Sequence, residues 1–302
     1  MHEATSGPDP LISMLFVPGS DQNKLGKIVD GGPDSFILDL EDSVAWSEKA
    51  RAREMCAQTI DAHGSAEHLY VRVNPVGSRL LLDDLEATVR PGLAGVQVPK
   101  VESARDVQVI DWVLGQLEAR QGMAEGSIRL LPTLETARGI GNADEVAVAS
   151  PRTRTLAIGL GDLGLDMSLA HSEDLSANAV VTAARVAVAL AARRARLEPP
   201  HDSAYTQYQD EDGLRREAAF ARSLGFVGKH AIHPLQVPVI HDVFRPTEAE
   251  VARAEKLVAA FDQAERDGTA AVGVDGELVD YPIAWRAMAT LRLAGRMVGK
   301  DS

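Results

Sequence analysis

The chain has 302 residues, of which 45% are hydrophobic and 25% charged, enough for a globular protein with a sizeable core. A formal net charge of −13 without a concentrated basic patch disfavours nucleic acid and anionic membrane as partners, and 4% aromatic residues leave little for base-stacking platforms. The single Cys56 excludes an intrachain disulfide and a multi-cysteine metal site, fits a reducing compartment, and reads as helix packing.

The start, MHEATSGPDPLI, lacks a basic segment followed by an apolar core. No run approaches the roughly 18 to 20 apolar residues of a spanning helix. A cytoplasmic protein with a small-molecule partner is expected. Short apolar runs then recur along the chain: MLFVPG (14–19), SFILDLED (35–42), LYVRVN (69–74), GVQVPK (95–100), IRLLPTLE (128–135) and TLAIGLGDL (155–163). A weak seventh lies near 197–203 and an eighth is GFVGKHAIHP (225–234). Continuous apolar runs suit strands buried on both faces, and the segments between them, such as 179–197, carry helical periodicity. Eight βα units in about 240 residues predict an α/β fold, the (β/α)8 TIM barrel, over 1–240; a doubly wound open sheet is the alternative. Residues 241–302 read as a C-terminal helical extension. Thr247 and Glu250 form a capping-box signature for a helix over 247–268; a Gly-rich bend, AVGVDGELVD, and a final helix from Pro282 to about Arg296 follow. The extension reads either as packing for the barrel or as a lid, the acidic tip at Asp280 favouring the lid.

In a barrel of this class chemistry sits at the C-terminal strand ends. There the chain offers Glu41 and Asp42, Arg72, Lys100, Glu135 and Asp162. Glu135 and Asp162 end consecutive runs and should emerge beside one opening, where two carboxylates with open coordination positions suit Mg2+. Taken singly, each also fits an ordinary surface acid. Arg72 among valines in a buried strand needs an acid or an anionic ligand, so an ion pair with Glu41 or Asp42 stays open. Gly159, Gly161 and Gly164 spell G-x-G-x-x-G, but Asp162 would repel a pyrophosphate and no acidic ribose partner follows about 20 residues on. Gly228-Lys229 lacks phosphate-loop spacing. His230 and His233, three apart in a predicted strand, should face opposite ways and so make no metal pair. No nucleophile elbow or Cys-His pair is evident.

The series LFVPGSDQNK, FILDLEDSV, YVRVNP, VPKVES, LPTLETARG, GLGDLGLD, GFVGKHAIHPLQ and GELVDYP resembles the citrate lyase β-subunit-like branch of the HpcH/HpaI aldolase superfamily over roughly residues 12–296. The resemblance implies a TIM barrel, Mg2+ dependence, a homotrimer or larger homo-oligomer, and acyl-coenzyme A thioesters of hydroxy-dicarboxylic acids as substrates. It makes Glu135 and Asp162 metal ligands and Arg72 a binder of the thioester or enolate oxygen. Glu41 and Asp42 become acids that orient metal waters and Arg72, and Asp280 becomes the acid carried on a lid over a neighbouring subunit's site. Phe16, Lys24 and Lys100 are weaker candidates for coenzyme A contacts. Where many relatives carry an arginine after PGS, this chain has Asp21, and Lys24 or Lys27 is the substitute. The implied activity is carbon–carbon cleavage of a malyl-CoA-like or citramalyl-CoA-like thioester to a 2-oxo acid and a shorter thioester. A thioesterase or malate-synthase-type reaction on the same site, and a carrier-dependent citrate lyase subunit, are the alternatives.

Overall fold

The computed structural model describes residues 11–28, 32–63, 68–170 and 178–296. Residues 1–10, on which the expected absence of a leader rests, lie outside these. Eight parallel strands close into a barrel in sequence order: β1 Ser13–Pro18, β2 Ser35–Asp39, β3 Leu69–Arg72, β4 Gly95–Val98, β5 Arg129–Leu134, β6 Ala157–Ile158, β7 His201–Asp202 and β8 Gly228–Ala231. With helices between the strands this is a (β/α)8 TIM barrel, which settles the choice against an open sheet.

The alternation of side chains along each strand sorts the barrel into layers. Leu11, Met14, Ile37, Tyr70, Leu131 and Ala157 form one apolar interior cluster. Two residues further along the same strands, the inward positions turn polar: Asp39 follows Ile37, Arg72 follows Tyr70 and Thr133 follows Leu131. Outward-facing Val71 and Val73 are fully buried. On β7 and β8 a charge network takes the place of apolar packing. Lys229 donates to Asp202 and Glu217, each at 2.6 Å, and Arg185 donates to Asp202 at 2.8 Å. Lys229 is therefore spent on an internal ion pair, consistent with the missing phosphate-loop spacing.

A second compact unit begins at Asp242. Its helix Glu248–Arg266 opens with the expected capping box: Thr247 accepts from Glu250 N, and Glu250 reaches back to Thr247 N. The segment read from sequence as a bend is an antiparallel hairpin, β9 Val272–Val274 with β10 Glu277–Val279. Its two-residue turn has Asp275 at φ +50° and Gly276 at φ +84°, the left-handed pair that Asp-Gly supplies in hairpins. A last helix, Tyr281–Leu293, packs on Glu248–Arg266 through Val251, Leu257, Phe261, Ala284 and Leu291. No helix among the described residues is long and apolar enough to cross a membrane.

Candidate active site

Asp39 ends β2 and lies in register with Arg72, which ends β3, so the barrel's own pairing brings the two together. The guanidinium grips the carboxylate with two donors: Nε to Oδ1 and Nη2 to Oδ2, both 2.7 Å. Asp39 also accepts from the backbone N–H groups of Glu41 at 2.9 Å and Ser43 at 3.0 Å, which shapes the turn after the strand. Burial alone would raise the Asp39 pKa; the Arg72 hydrogen bond and charge outweigh it and hold the carboxyl below its usual range. The guanidinium carbon sits 4.6 Å above the Phe16 ring. Arg72 Nη1 lies 3.2 Å from Glu41 Oε2, an ion pair without hydrogen-bond geometry.

Glu41 is buried, and its Oε1 accepts from Lys100 Nζ at 2.6 Å. The same ammonium is 3.4 Å from Asp162 and 3.9 Å from the exposed Asp42. Lys100 adopts φ +51°, a left-handed conformation that costs a non-glycine residue about 1 kcal/mol, and its backbone N–H donates to Glu135 Oε1 at 2.8 Å. One strained residue therefore links Glu41, Glu135 and Asp162. Burial, then the charges of Asp162 and Glu41, push the Glu135 carboxyl up to about 8.

Gly159 explains itself in this setting. A Cβ there would lie 2.1 Å from Glu135 Oε2, so the glycine serves a carboxylate rather than a phosphate. It caps the short helix Leu160–Asp166, whose first turn carries Asp162. Because β6 is only two residues long, Asp162 stands on a helix and not at a strand end as the sequence suggested.

The donor set fits a hard divalent cation. Glu41 and Asp162 share the Lys100 ammonium, Glu135 accepts only the Lys100 backbone N–H, the Arg72 fork is taken by Asp39, and burial with the charges of Asp162 and Glu41 pushes Glu135 up. Among the described residues no group of three or more His, Cys, Asp or Glu side chains forms a protein-only cage.

Lys24 is exposed on the short helix Gln22–Leu25, 3.5 Å from Asp21. Asp21 accepts from Asn23 N and Lys24 N as that helix's N-cap, which accounts for an acid at this position. Asp280 caps the helix Tyr281–Leu293 in the second unit. β8 ends at Ala231, so only His230 lies on the strand, edge-on to Phe16 with ring centroids 5.3 Å apart. His233 falls beyond the strand end and stacks on Tyr208 at 4.7 Å. The two histidines are separated, though not as opposite faces of one strand. Asp39, the residue that fixes Arg72, was not singled out from sequence.

Residues 12–234 match the family HpcH/HpaI aldolase/citrate lyase. The chain is 36% identical over 283 residues to citrate lyase subunit beta of Haemophilus influenzae, covering 93% of this chain and 96% of that protein. It is 34% identical over 272 residues to (3S)-malyl-CoA thioesterase of Cereibacter sphaeroides, covering 90% of each. Among solved structures, protein CitE of Mycobacterium tuberculosis in complex with magnesium, acetoacetate and coenzyme A superimposes with a TM-score of 0.74 at 31% identity, over 94% of this chain and 98% of that one.

Proposed function

The chain belongs to the HpcH/HpaI aldolase/citrate lyase family, and from that membership we propose a Mg2+-dependent carbon–carbon lyase acting on a hydroxy-dicarboxylic acyl-CoA thioester of the malyl or citramalyl kind. The observation that carries the reading is the carboxylate cluster at the barrel mouth beside a guanidinium locked by Asp39. Glu135 and Asp162 would hold the metal, with Glu41 and Asp42 orienting its waters. Bound there, Mg2+ would supply Lewis acidity to the emerging 2-oxo acid and would offset the charge crowding on Glu135. Arg72, with Asp39 fixing its plane, presents donors to the thioester oxygen as negative charge develops on the enolate. The hydroxyl proton would pass to water as the carbon–carbon bond breaks, and a protonated Asp280 from the lid of a neighbouring copy would give its proton to the enolate carbon, to be reprotonated from solvent; in condensation the same carboxylate removes it.

For coenzyme A, exposed Lys24 is the better phosphate partner. The Phe16 ring lies beneath Arg72 and Lys100 is held in the acid cluster, positions that support roles beside the reacting atoms. A homotrimer or larger homo-oligomer in the cytoplasm belongs to the same proposal, checked by sedimentation of the purified protein.

The likeness to (3S)-malyl-CoA thioesterase favours a second reading, in which water releases coenzyme A from the same thioester. Likeness to citrate lyase subunit beta keeps a carrier-dependent subunit in view, and activity on free thioesters would count against it. Time-resolved mass spectrometry of the purified protein with Mg2+ and a panel of malyl, methylmalyl, citramalyl and citryl thioesters separates these: a lyase gives a 2-oxo acid and a shorter thioester, a thioesterase gives free thiol. Glu135→Ala and Asp162→Ala should each abolish Mg2+ binding by calorimetry and turnover together. Turnover indifferent to a chelator, or metal binding retained in both variants, would refute the assignment.

A further inference from the structure

Behind the acid cluster, on the helix side of β2 and β3, lies a buried cation that the reaction as derived does not use. Lys49 opens the helix Lys49–Ala62, and its ammonium spends all three protons on the protein: Leu40 O at 2.6 Å, Glu41 O at 2.7 Å and Asn74 Oδ1 at 3.0 Å. Its direct partners are two successive peptide carbonyls and an amide oxygen, not a carboxylate. Burying an ammonium in this way stabilises less than an apolar side chain of the same volume, so fold stability alone does not account for the charge. Burial lowers the Lys49 pKa, and Asp39, Asp84, Glu41 and Asp42 only partly restore it.

The carbonyls it holds belong to the turn that presents Glu41. From the barrel interior Asp39 takes the Glu41 N–H, while from the helix side Lys49 takes the Glu41 carbonyl. The Glu41 backbone is gripped at both ends, and its side chain then sets two cations: Lys100 at 2.6 Å and Arg72 at 3.2 Å. Asn74, two residues after Arg72, ties the same point to β3. Its Nδ2 donates to Leu40 O at 3.0 Å and to Asp84 Oδ2 at 2.6 Å, and Arg53 Nε donates to Asp84 Oδ1 at 2.7 Å.

We propose that Lys49 is a positioning residue for the reaction: through the carbonyls of Leu40 and Glu41 it fixes the Glu41 carboxylate, and through that carboxylate the guanidinium of Arg72 and the ammonium of Lys100. The turnover readout rests on the lyase reading above. Lys49→Met keeps length and volume while removing charge and donors. It should lower kcat by about 10- to 100-fold with KM changed by less than about threefold, the signature of misplaced groups rather than lost binding. Arg152→Met provides the comparison for stability. It removes another buried cation, one paired with Glu118 at 2.6 Å outside the acid cluster, and should lower the thermal midpoint while leaving kcat within about twofold.

A folded Lys49→Met enzyme with kcat within about twofold of wild type, or with a kcat loss no larger than that of Arg152→Met, overturns the proposal. If Lys49→Met does not fold, Lys49→Gln is judged by the same criterion. A wild-type protein inactive on every thioester would instead refute the lyase reading. Position then decides: a crystal structure of Lys49→Met in which Glu41 keeps its 2.6 Å hydrogen bond to Lys100 overturns the inference, and a Glu41 displaced from Lys100 supports it.

Discussion

Asp39 determines how Arg72 can act. A guanidinium on a free side chain presents its donors in many planes; one held by two parallel hydrogen bonds of 2.7 Å over an aromatic ring presents them in one. Asp39→Asn keeps the shape, but it removes the charge and points an amide N–H at a guanidinium N–H. The variant should fold and lose about 10²-fold in kcat/KM, because the donors aimed at the developing oxyanion lose their plane. Steady-state kinetics on the preferred thioester, with circular dichroism as the check on folding, measures this; a kcat/KM equal to wild type would remove Asp39 from the machinery. Arg72, Glu135 and Glu41 were legible in the sequence because a charge inside or just after an apolar run is conspicuous. Asp39 was not, since FILDLED offers acids at 39, 41 and 42, and which of them face inward depends on the register of β2 with β1 and β3. Register is a property of the closed barrel, not of one segment.

At the level of elements, the long apolar runs announced β1 to β5 because strands buried on both faces need no polar alternation. β6 and β7 are two residues each, too short to leave a periodic signature, and the GLGDLGLD segment that reads as a strand end turns into a helix after Gly159. The β9–β10 hairpin hid in a Gly-rich stretch whose Asp-Gly turn was the available signal. At Asp280 a helix cap and the proposed proton-transfer role would fall on one side chain. Its carboxylate accepts from Ile283 N at 3.3 Å as the N-cap of the helix Tyr281–Leu293. Asn caps a helix about as well as Asp but exchanges no proton at neutral pH, whereas Ala does neither. Asp280→Asn should therefore match wild type in urea unfolding and Mg2+ binding and lose turnover, while Asp280→Ala should lose turnover and about 1 kcal/mol of stability besides. Turnover retained in the Asn variant would leave Asp280 as a cap alone.

For the whole molecule, the price of a polar layer inside the barrel is a dependence on acidity that a carboxylate-based account would put at the wrong pH. His201 on β7 and His230 on β8 face each other in the interior with ring centroids 5.9 Å apart, and His201 Nδ1 and His230 Nε2 are buried without a hydrogen-bond partner among the described residues. Burial first, and the Arg154 charge second, bring the His201 pKa from 6.5 down to about 4; burial, then the charges of His201 and Arg72, hold His230 well below its ordinary range. Both are neutral in the folded protein at pH 6, whereas the unfolded chain takes up a proton at each near pH 6.5. At these two rings the unfolded state binds more protons, so their contribution to stability rises with pH across this window, whereas Glu135, raised to about 8, binds a proton in the folded state and contributes in the opposite direction. The contribution of His201 is complete above pH 6.5 and is lost progressively as pH falls toward about 4, on the order of 3 kcal/mol in all. Asp34, which burial would raise but His241 and Ser13 hold down at about 2, adds its own loss only below the usual carboxylate range near 3.8. Urea unfolding at pH 7, 6 and 5, compared between wild type and His201→Gln, isolates the ring's share from the opposing share of Glu135, and the difference should approach about 1.4 kcal/mol per pH unit at the acidic end. His201→Gln, which cannot protonate, should remove one histidine's share of that slope. An identical pH dependence in wild type and His201→Gln would mean that the His201 ring is not held neutral inside the barrel.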